Sequence, residues 1–265
     1  MIDMHVHLER GPYTKEWLME LVSNAVKRDI DALYLLEHSF RFVEFRNIYG
    51  TIIEHEDYGT YQSEWLSNRM QLELTDYKDF ITKMREYEFP IEVRFGLEIC
   101  YFPDKEEEIK KCISNFDWDF LTGSIHWIDG WGFDHEKTKE NWRKCNIDKV
   151  YERYYKLMIQ LVESRIFNIL AHPDSIKCFD YYPTIKLTNV YIQLAKALKR
   201  NNVKAEFSSG LHINYGHGDL GLNKELLKIL SEYEVDIVTA SDAHRPEDVG
   251  KYIREAKKIL NGSNK

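Results

Sequence analysis

The stretch I-D-M-H-V-H-L at residues 2–8 is the first of seven short β-rich runs that alternate with helical segments along the chain. Successive side chains of a strand point to opposite faces, so a strand over Ile2–Leu8 places His5 and His7 on the same side. The six further β-rich runs are Asp31–Glu37, Ile91–Ile99, Asp119–His126, Phe167–His172, Val203–Ser208 and Asp236–Ser241. Apolar residues at three- and four-residue spacing predict helices between and after them, at Thr14–Arg28, Asp76–Tyr87, Asp104–Ser114, Asp148–Ser164, Lys186–Arg200, Lys224–Glu234 and Pro246–Leu260.

Strict alternation of strands and helices predicts an α/β fold with a parallel sheet and helices outside it. Seven strands in 265 residues favour a closed, TIM-barrel-like structure over an open sheet, although alternation alone leaves both possible. No repeat or Pro/Ser-rich linker divides the chain, which predicts a single domain over 1–265. The segment 39–75 departs from the alternation and is rich in aromatic and charged residues. We expect it to form a long loop insertion that serves as a lid or as one wall of the substrate site.

Composition narrows the classes of function. Hydrophobic residues make up 43% and charged residues 30%, which is typical of a globular protein. The net charge of −8 argues against a general nucleic-acid or membrane-surface binder, since both need basic surface. No segment resembles a signal peptide or a membrane span, and four well-separated cysteines favour reduced thiols. The sequence predicts a cytoplasmic protein with a small substrate, no nucleic-acid partner and no membrane contact.

Six of the ten histidines, with two carboxylates, lie at or just beyond the ends of predicted strands: His5, His7, His38, Glu98, His126, His172, Asp242 and His244. The carboxyl ends of parallel barrel strands converge on the face where active sites are built. Taken singly, each residue has an ordinary structural explanation; Glu98 can pair with Arg94, and Asp242 can cap a helix. Eight titratable groups on one barrel face need a common explanation, because buried charge is costly unless it is paired or metal-bound. Imidazole and carboxylate are the usual ligands of zinc, manganese and iron, so the pattern predicts a metal centre.

The motifs in chain order are M-H-V-H-L (4–8), L-E-H-S (36–39), G-L-E-I (96–99), G-S-I-H-W (123–127), A-H-P-D (171–174) and S-D-A-H (241–244). This set resembles the polymerase-and-histidinol-phosphatase (PHP) superfamily of metal hydrolases over nearly the whole chain. G-S-I-H followed by D-G-W-G-F-D (129–134) is most similar to its histidinol-phosphate phosphatase branch.

The resemblance implies a distorted seven-stranded (β/α)7 barrel with two to three divalent ions (Zn, Mn or Fe) at its carboxyl-terminal mouth. A first metal would be held by His5, His7, Glu98 and Asp242, and a second by Glu98, His126 and His172. His38 and His244 would bind a third. The implied activity is hydrolysis of L-histidinol phosphate to L-histidinol and phosphate by attack of a metal-bridging hydroxide, as in histidine biosynthesis. Glu98, Asp242 and His244 are the residues on which we expect catalysis to depend.

One departure from the family pattern concerns the third metal. The family often has a further histidine about six residues after the His-x-His pair, where this chain has Tyr13. An ordinary phenol must ionise to bind a metal, whereas Glu9 is already anionic and lies in register with His7. We therefore predict that Glu9 completes the third site or holds its water. The alternative is that Glu9 only pairs with Arg10 or another loop cation.

Substrate contacts are predicted from position alone. Arg10, Arg41 and Arg245 follow strand-end ligands, and we expect at least one of them to bind phosphate. Glu206, in the sixth predicted strand, either binds the substrate amine or pairs with a cation of the barrel.

Two other functions remain open on the sequence. A PHP phosphoesterase can act instead on nucleotides, oligonucleotides or protein phosphotyrosine. A chain of this kind can also have lost catalysis and serve as a metal-retaining binding module, although its intact ligand set argues against that.

Overall fold

The computed structural model describes residues 1–263, which form a seven-stranded parallel sheet surrounded by helices. The strands are β1 Ile2–His7, β2 Ala32–Leu36, β3 Glu92–Cys100, β4 Phe120–Ser124, β5 Trp127–Ile128, β6 Trp131–Gly132, β7 Ile169–Leu170, β8 Lys204–Ser208 and β9 Ile237–Ala240. The α-helices are α1 Lys15–Lys27, α2 Gly50–Ile53, α3 Gly59–Arg69, α4 Leu74–Met84, α5 Glu106–Ile113, α6 Ile147–Glu163, α7 Thr188–Asn201, α8 Gly210–Tyr215, α9 Lys224–Glu232 and α10 Ile253–Ser263.

The large sheet has the order β1-β2-β3-β4-β7-β8-β9, so the strands lie side by side in the order in which the chain makes them. The two edge strands meet near their carboxyl ends. The amide of His7 donates to the carbonyl of Ala243 at 2.8 Å, and the amide of Asp242 donates to the carbonyl of His5 at 2.9 Å. These contacts nearly close the sheet into a distorted barrel, which confirms the predicted fold class.

Helices α1, α6 and α9 begin where a local side chain satisfies one of their free amides. The side chains of Thr14, Asn146 and Asn223 accept hydrogen bonds from the first turns of α1, α6 and α9. Each α-helix contributes buried apolar side chains to one large core. A second apolar cluster, Met4, Leu36, Phe120 and Ile169, comes from four strands and no helix, as expected of side chains inside a barrel.

The prediction of a long loop over 39–75 is wrong. This segment contains 3-10 turns at Ser39–Arg41 and Val43–Tyr49, the short helix α2, and α3. The antiparallel pair of β5 and β6 is also absent from the sequence prediction. No helix within residues 1–263 is both long and apolar enough to cross a membrane.

Candidate metal centre

The predicted ligands converge at the carboxyl ends of the strands. His5 and His7 lie on β1 and Glu98 on β3. Four others each follow the last residue of a strand by two positions, namely His38 after β2, His126 after β4, His172 after β7 and Asp242 after β9. Because side chains alternate along an extended chain, a constant offset from parallel strands aims these groups at the same region.

His5, His7, Glu98 and Asp242 form the first cluster. Glu98 Oε2 lies 3.4 Å from Nε2 of both His5 and His7, and Asp242 Oδ1 lies 3.6 and 3.4 Å from the same two nitrogens. A zinc ion with bonds of about 2.0–2.1 Å in tetrahedral geometry separates its ligands by roughly 3.3 Å. The two imidazole Nε2 atoms also face each other at 2.9 Å. The spacing therefore fits a single divalent ion.

Glu98 links this cluster to a second one. Its Oε1 lies 3.1 Å from His126 Nε2 and 3.3 Å from His172 Nε2, on the other side of the carboxylate from Oε2. One carboxylate thus offers each of its oxygens to a different group of histidines. That is the arrangement of a carboxylate that bridges two metals.

A third cluster comprises His7, His38 and His244. The ring of His7 stacks on those of His38 and His244, with centroid distances of 4.0 and 4.3 Å. Glu9 lies at the edge of this cluster. Its Oε1 accepts a hydrogen bond from His244 Nδ1 at 2.7 Å, and its Oε2 lies 4.0 Å from His38 Nε2.

Tyr13 does not share this position. Its buried hydroxyl packs away from the histidines, with its ring near Tyr77 and Phe80. Burial and the nearby Glu37 raise the pKa of Tyr13 above that of an ordinary phenol. A protonated phenol is a poor metal ligand, so Glu9 is the better candidate at this end of the site.

The charges of neighbouring groups shift the pKa values of the clustered residues in a consistent way. Burial alone would raise the pKa of Glu98, but His38, His5 and hydrogen bonds from His126 and His172 hold it well below its usual range. Burial would likewise lower the pKa of His5, but Glu206 and Glu98 raise it well above normal. Burial and the neighbouring His38 and His244 lower the pKa of His7, leaving it neutral as a ligand must be. Protons and metal ions compete for such a site.

Unpaired buried atoms give an independent test of whether a metal fits. Glu98 Oε2 and His38 Nδ1 lie 2.9 Å apart inside the protein, yet neither has a hydrogen-bond partner. A buried polar atom without a partner costs about 1–3 kcal/mol. Cations bound to these atoms would remove that cost, so the donor set fits divalent metal ions.

The backbone also constrains two of the ligands. His172 and Asp242 have positive φ angles of 27° and 54°, which non-glycine residues rarely adopt. Such strain is of order 1–3 kcal/mol and is typical of functional sites. Asn214 on α8 holds the Asp242 side chain by donating from Nδ2 to Oδ2 at 3.2 Å. A Cβ on Gly210 would lie 2.2 Å from the same Oδ2, so only glycine permits this close approach.

The expectation that Glu206 contacts the substrate amine is wrong. Glu206 is fully buried, and both of its oxygens are already occupied. Oε1 accepts from His5 Nδ1 at 2.8 Å, and Oε2 accepts from the backbone amide of His172 at 2.9 Å. The first bond fixes the His5 tautomer and aims Nε2 at the first cluster, as partners of metal-bound histidines do.

Asp134 orients His126 as Glu206 orients His5, and the sequence prediction missed this role. Its Oδ2 accepts a hydrogen bond from His126 Nδ1 at 2.7 Å, which leaves Nε2 free to face Glu98. Asp134 is the last residue of the D-G-W-G-F-D motif, so the sequence did contain a signal for it. The role of Asp134 could not be predicted from the sequence, because it depends on how β5 and β6 fold back toward His126.

The clusters open into a cavity of about 340 Å³. Its lining residues are Glu9, Arg10, His38, Phe40, Trp65, His126, Trp127, Asp134, His135, His172, Ser175, Leu211, Asn214, Tyr215, Asp242 and His244. Phe40 and Trp65 come from the 39–75 segment, which therefore forms part of one wall.

Only one of the three predicted phosphate-binding arginines lines this cavity, and it is Arg10. Arg41 donates instead to the buried Glu37 at 2.7 Å. Arg245 has an exposed side chain 4.0 Å from Glu247. The assignment of Arg41 and Arg245 to the substrate site is therefore corrected. Each side chain follows a ligand in sequence but leaves the strand end in a different direction.

Comparison with known families agrees with this geometry. The PHP domain model matches residues 3–210, which is well over half of the chain. The chain belongs to the PHP domain family. The PHP match spans all the histidines and carboxylates of the clusters except Asp242 and His244, which follow it.

Curated and solved relatives extend this PHP assignment. The chain is 28% identical over 205 residues to a probable histidinol-phosphatase of Deinococcus radiodurans, covering 76% of this chain and 75% of that protein. It is 24% identical to the histidinol-phosphatase of Bacillus subtilis, covering 96% and 97% of the two chains. The fold is similar to a histidinol phosphate phosphatase of Lactococcus lactis crystallised with zinc, L-histidinol and phosphate. That match has a TM-score of 0.73 at 17% identity and covers 99% and 93% of the chains.

Proposed function

We propose that this PHP protein is a histidinol-phosphatase, which hydrolyses L-histidinol phosphate to L-histidinol and phosphate. The observation that carries the proposal is Glu98, whose two oxygens face two separate histidine clusters at the mouth of the barrel. Similarity to proteins named histidinol-phosphatase, over most of their length, supports the choice of substrate.

The proposed centre takes two to three divalent ions, as zinc, manganese or iron. His5, His7, Glu98 and Asp242 hold the first, and Glu98, His126 and His172 hold the second. When bound, a pair of such ions supplies Lewis acidity for the phosphate oxygens and lowers the pKa of a coordinated water. Glu98 would stabilise both cations, because its negative charge would be shared between them.

The protein's own groups hold this geometry. Glu206 and Asp134 orient the imidazoles of His5 and His126, and Asn214 holds Asp242. The aromatic side chains of Phe40, Trp65 and Trp127 give one side of the cavity an apolar surface.

Arg10 is the proposed phosphate contact, since it is the arginine in the cavity wall. A phosphate monoester carries close to two negative charges at neutral pH. The planar guanidinium of Arg10 can form two parallel hydrogen bonds to its oxygens. This cation, together with bound metals, explains how an acidic protein attracts an anionic substrate.

Glu9 is the proposed third ligand of the third site, together with His38 and His244. Its ion-pair partners within residues 1–263 are these two histidines, and Arg10 is not among them. Burial would raise the pKa of Glu9, but the hydrogen bond from His244 and the neighbouring His38 lower it. The carboxylate is therefore ionised and available to a cation.

Phosphate release tests the proposed substrate. We expect metal-loaded enzyme of measured metal content to show a kcat/KM for L-histidinol phosphate at least about tenfold above those for p-nitrophenyl phosphate, nucleoside monophosphates and phosphotyrosine. The reason is that a polar pocket matched to the amine and imidazole adds binding that generic phosphates lack. Equal or higher kcat/KM for another member of the panel would move the assignment to that substrate.

A further inference from the structure

Asp3 is a buried carboxylate of the I-D-M-H-V-H-L stretch that belongs to none of the three metal clusters. Its two oxygens each accept a hydrogen bond from a backbone amide. Oδ1 accepts from the amide of Ser241 at 2.8 Å, and Oδ2 accepts from the amide of Gly250 at 2.9 Å. Burial of a carboxylate is costly unless hydrogen bonds compensate it, so these two bonds are what keeps Asp3 inside the protein.

The two amides lie at the two ends of one loop. β9 ends at Ala240 and α10 begins at Ile253, and the loop 241–250 occupies most of the connection between them. This loop carries two of the candidate ligands, Asp242 and His244. One carboxylate on β1 therefore holds both ends of a ligand-bearing segment.

The backbone of the loop has an unusual conformation at both of these ends. Asp242, next to Ser241, has a φ angle of 54°, and Gly250 has a φ angle of 74°. A non-glycine residue keeps a positive φ only where its surroundings determine its conformation strongly. The backbone hydrogen bonds of Asp242 and Ala243 with β1 hold only the first part of the loop, whereas Asp3 also holds its far end.

Arg28, at the end of α1, holds the same loop from the outside. Its Nη1 donates to the carbonyl of Val249 at 2.7 Å, and its Nη2 donates to the carbonyl of Glu247 at 2.8 Å. None of the candidate ligands lies between Glu247 and Gly250. The hydrogen bonds made there can affect the clusters only through the position of the loop.

We propose that Asp3 is a positioning residue of the metal centre, which places Asp242 and His244 by holding both ends of the loop 241–250. It thereby sets the affinity for the ions that these two ligands bind. The inference rests on the metal centre of the proposed function and adds a residue that touches neither metal nor substrate. The second ion takes its ligands from β3 and from the residues that follow β4 and β7, so its affinity does not depend on this loop.

Asp3→Asn tests this role, because asparagine keeps the size of the side chain but has a single acceptor oxygen. Its NH₂ group faces a backbone N–H, so one end of the loop loses its hydrogen bond. Zinc binding by the wild type and the variant is measured by competition with a chromophoric chelator. We expect the ions held by Asp242 or His244 to bind about 10- to 100-fold more weakly, the range typical when a group that supports metal ligands is removed. One ion per chain should keep its wild-type affinity.

Phosphate release from L-histidinol phosphate gives a second readout, which a loss of stability alone would not produce. At limiting zinc, turnover by Asp3→Asn should fall as the weakened sites lose their ions. Excess zinc should restore it, because all the ligands are still present. Asp148→Asn is the matched control, since Asp148 also uses both oxygens, on the amide and hydroxyl of Thr184, but holds a segment without ligands. It should leave zinc affinity and turnover unchanged.

Wild-type zinc affinities in a folded Asp3→Asn protein, or an equal loss for every ion, would overturn the proposal. If Asp3→Asn does not fold, Arg28→Gln decides, because it releases the same loop from the protein surface and should weaken the same ions. Unchanged zinc affinities in Arg28→Gln would then overturn the proposal. The proposed function fails separately, when wild-type protein binds zinc but does not hydrolyse L-histidinol phosphate; zinc binding still reports the role of Asp3 in that case.

Discussion

Glu98→Gln is expected to lose most of its bound metal and at least about 1,000-fold in kcat, equivalent to roughly 4 kcal/mol of transition-state stabilisation. The side chain is fully buried, with five imidazoles within 3.4 Å of its two oxygens. An amide keeps the shape but offers a single neutral oxygen. It cannot neutralise two cations or join the two clusters.

The measurement combines metal analysis of the purified variant with phosphate release from L-histidinol phosphate. Glu20→Gln, an exposed carboxylate on α1, serves as the control and should retain full metal content and activity. Circular dichroism establishes that the Glu98 variant is folded. A folded Glu98→Gln protein with wild-type metal content and turnover would exclude the bridging role.

Glu9→Gln is expected to lose about one metal ion per chain while the others remain. Within residues 1–263 the ion-pair partners of Glu9 are His244 and His38, which both belong to the third cluster. Loss of the charge weakens only the site that the carboxylate completes. We expect turnover to fall roughly 10- to 100-fold, the range typical when a group that supports a metal site is removed.

Metal stoichiometry by elemental analysis decides this prediction, and the same Glu20→Gln protein is the control. An unchanged metal count with reduced turnover would mean that Glu9 orients His244 through its hydrogen bond without binding metal. An unchanged metal count with unchanged turnover would show that Glu9 contributes to neither.

The alternation of β-rich and amphipathic segments predicted the parallel sheet with helices outside it, and the number of strands for this chain length favoured its closure into a barrel. Regular helices of 8 to 17 residues such as α1, α5 and α6 carry the apolar periodicity on which sequence prediction depends. The candidate ligands could be picked out for the same reason, since they lie at or within a few residues of the carboxyl ends of parallel strands. The helical structure of the 39–75 segment was not predictable. Its helix α3 is only weakly amphipathic, and the turns before α3 are too short to show a hydrophobic period.

The roles of residues that lie next to the clusters without belonging to them could not be predicted from the sequence. Glu206 lies on a strand that reaches the mouth, but its side chain ends beside His5, inside the protein. Arg41 lies close to His38 in sequence and still turns toward Glu37. These outcomes depend on side-chain direction and on tertiary partners, which strand periodicity does not specify.

The central claim is that metal bound to these clusters enables hydrolysis of L-histidinol phosphate, and a metal titration tests it most directly. Protein stripped by a chelator is reloaded in steps with zinc, manganese or ferrous iron, and the initial rate of phosphate release is recorded against metal bound per chain. We predict no turnover in the stripped protein and a rate that rises with bound metal to a plateau at two to three ions per chain. Full turnover by metal-free protein, or no turnover of L-histidinol phosphate at the plateau with any of these metals, would contradict the claim.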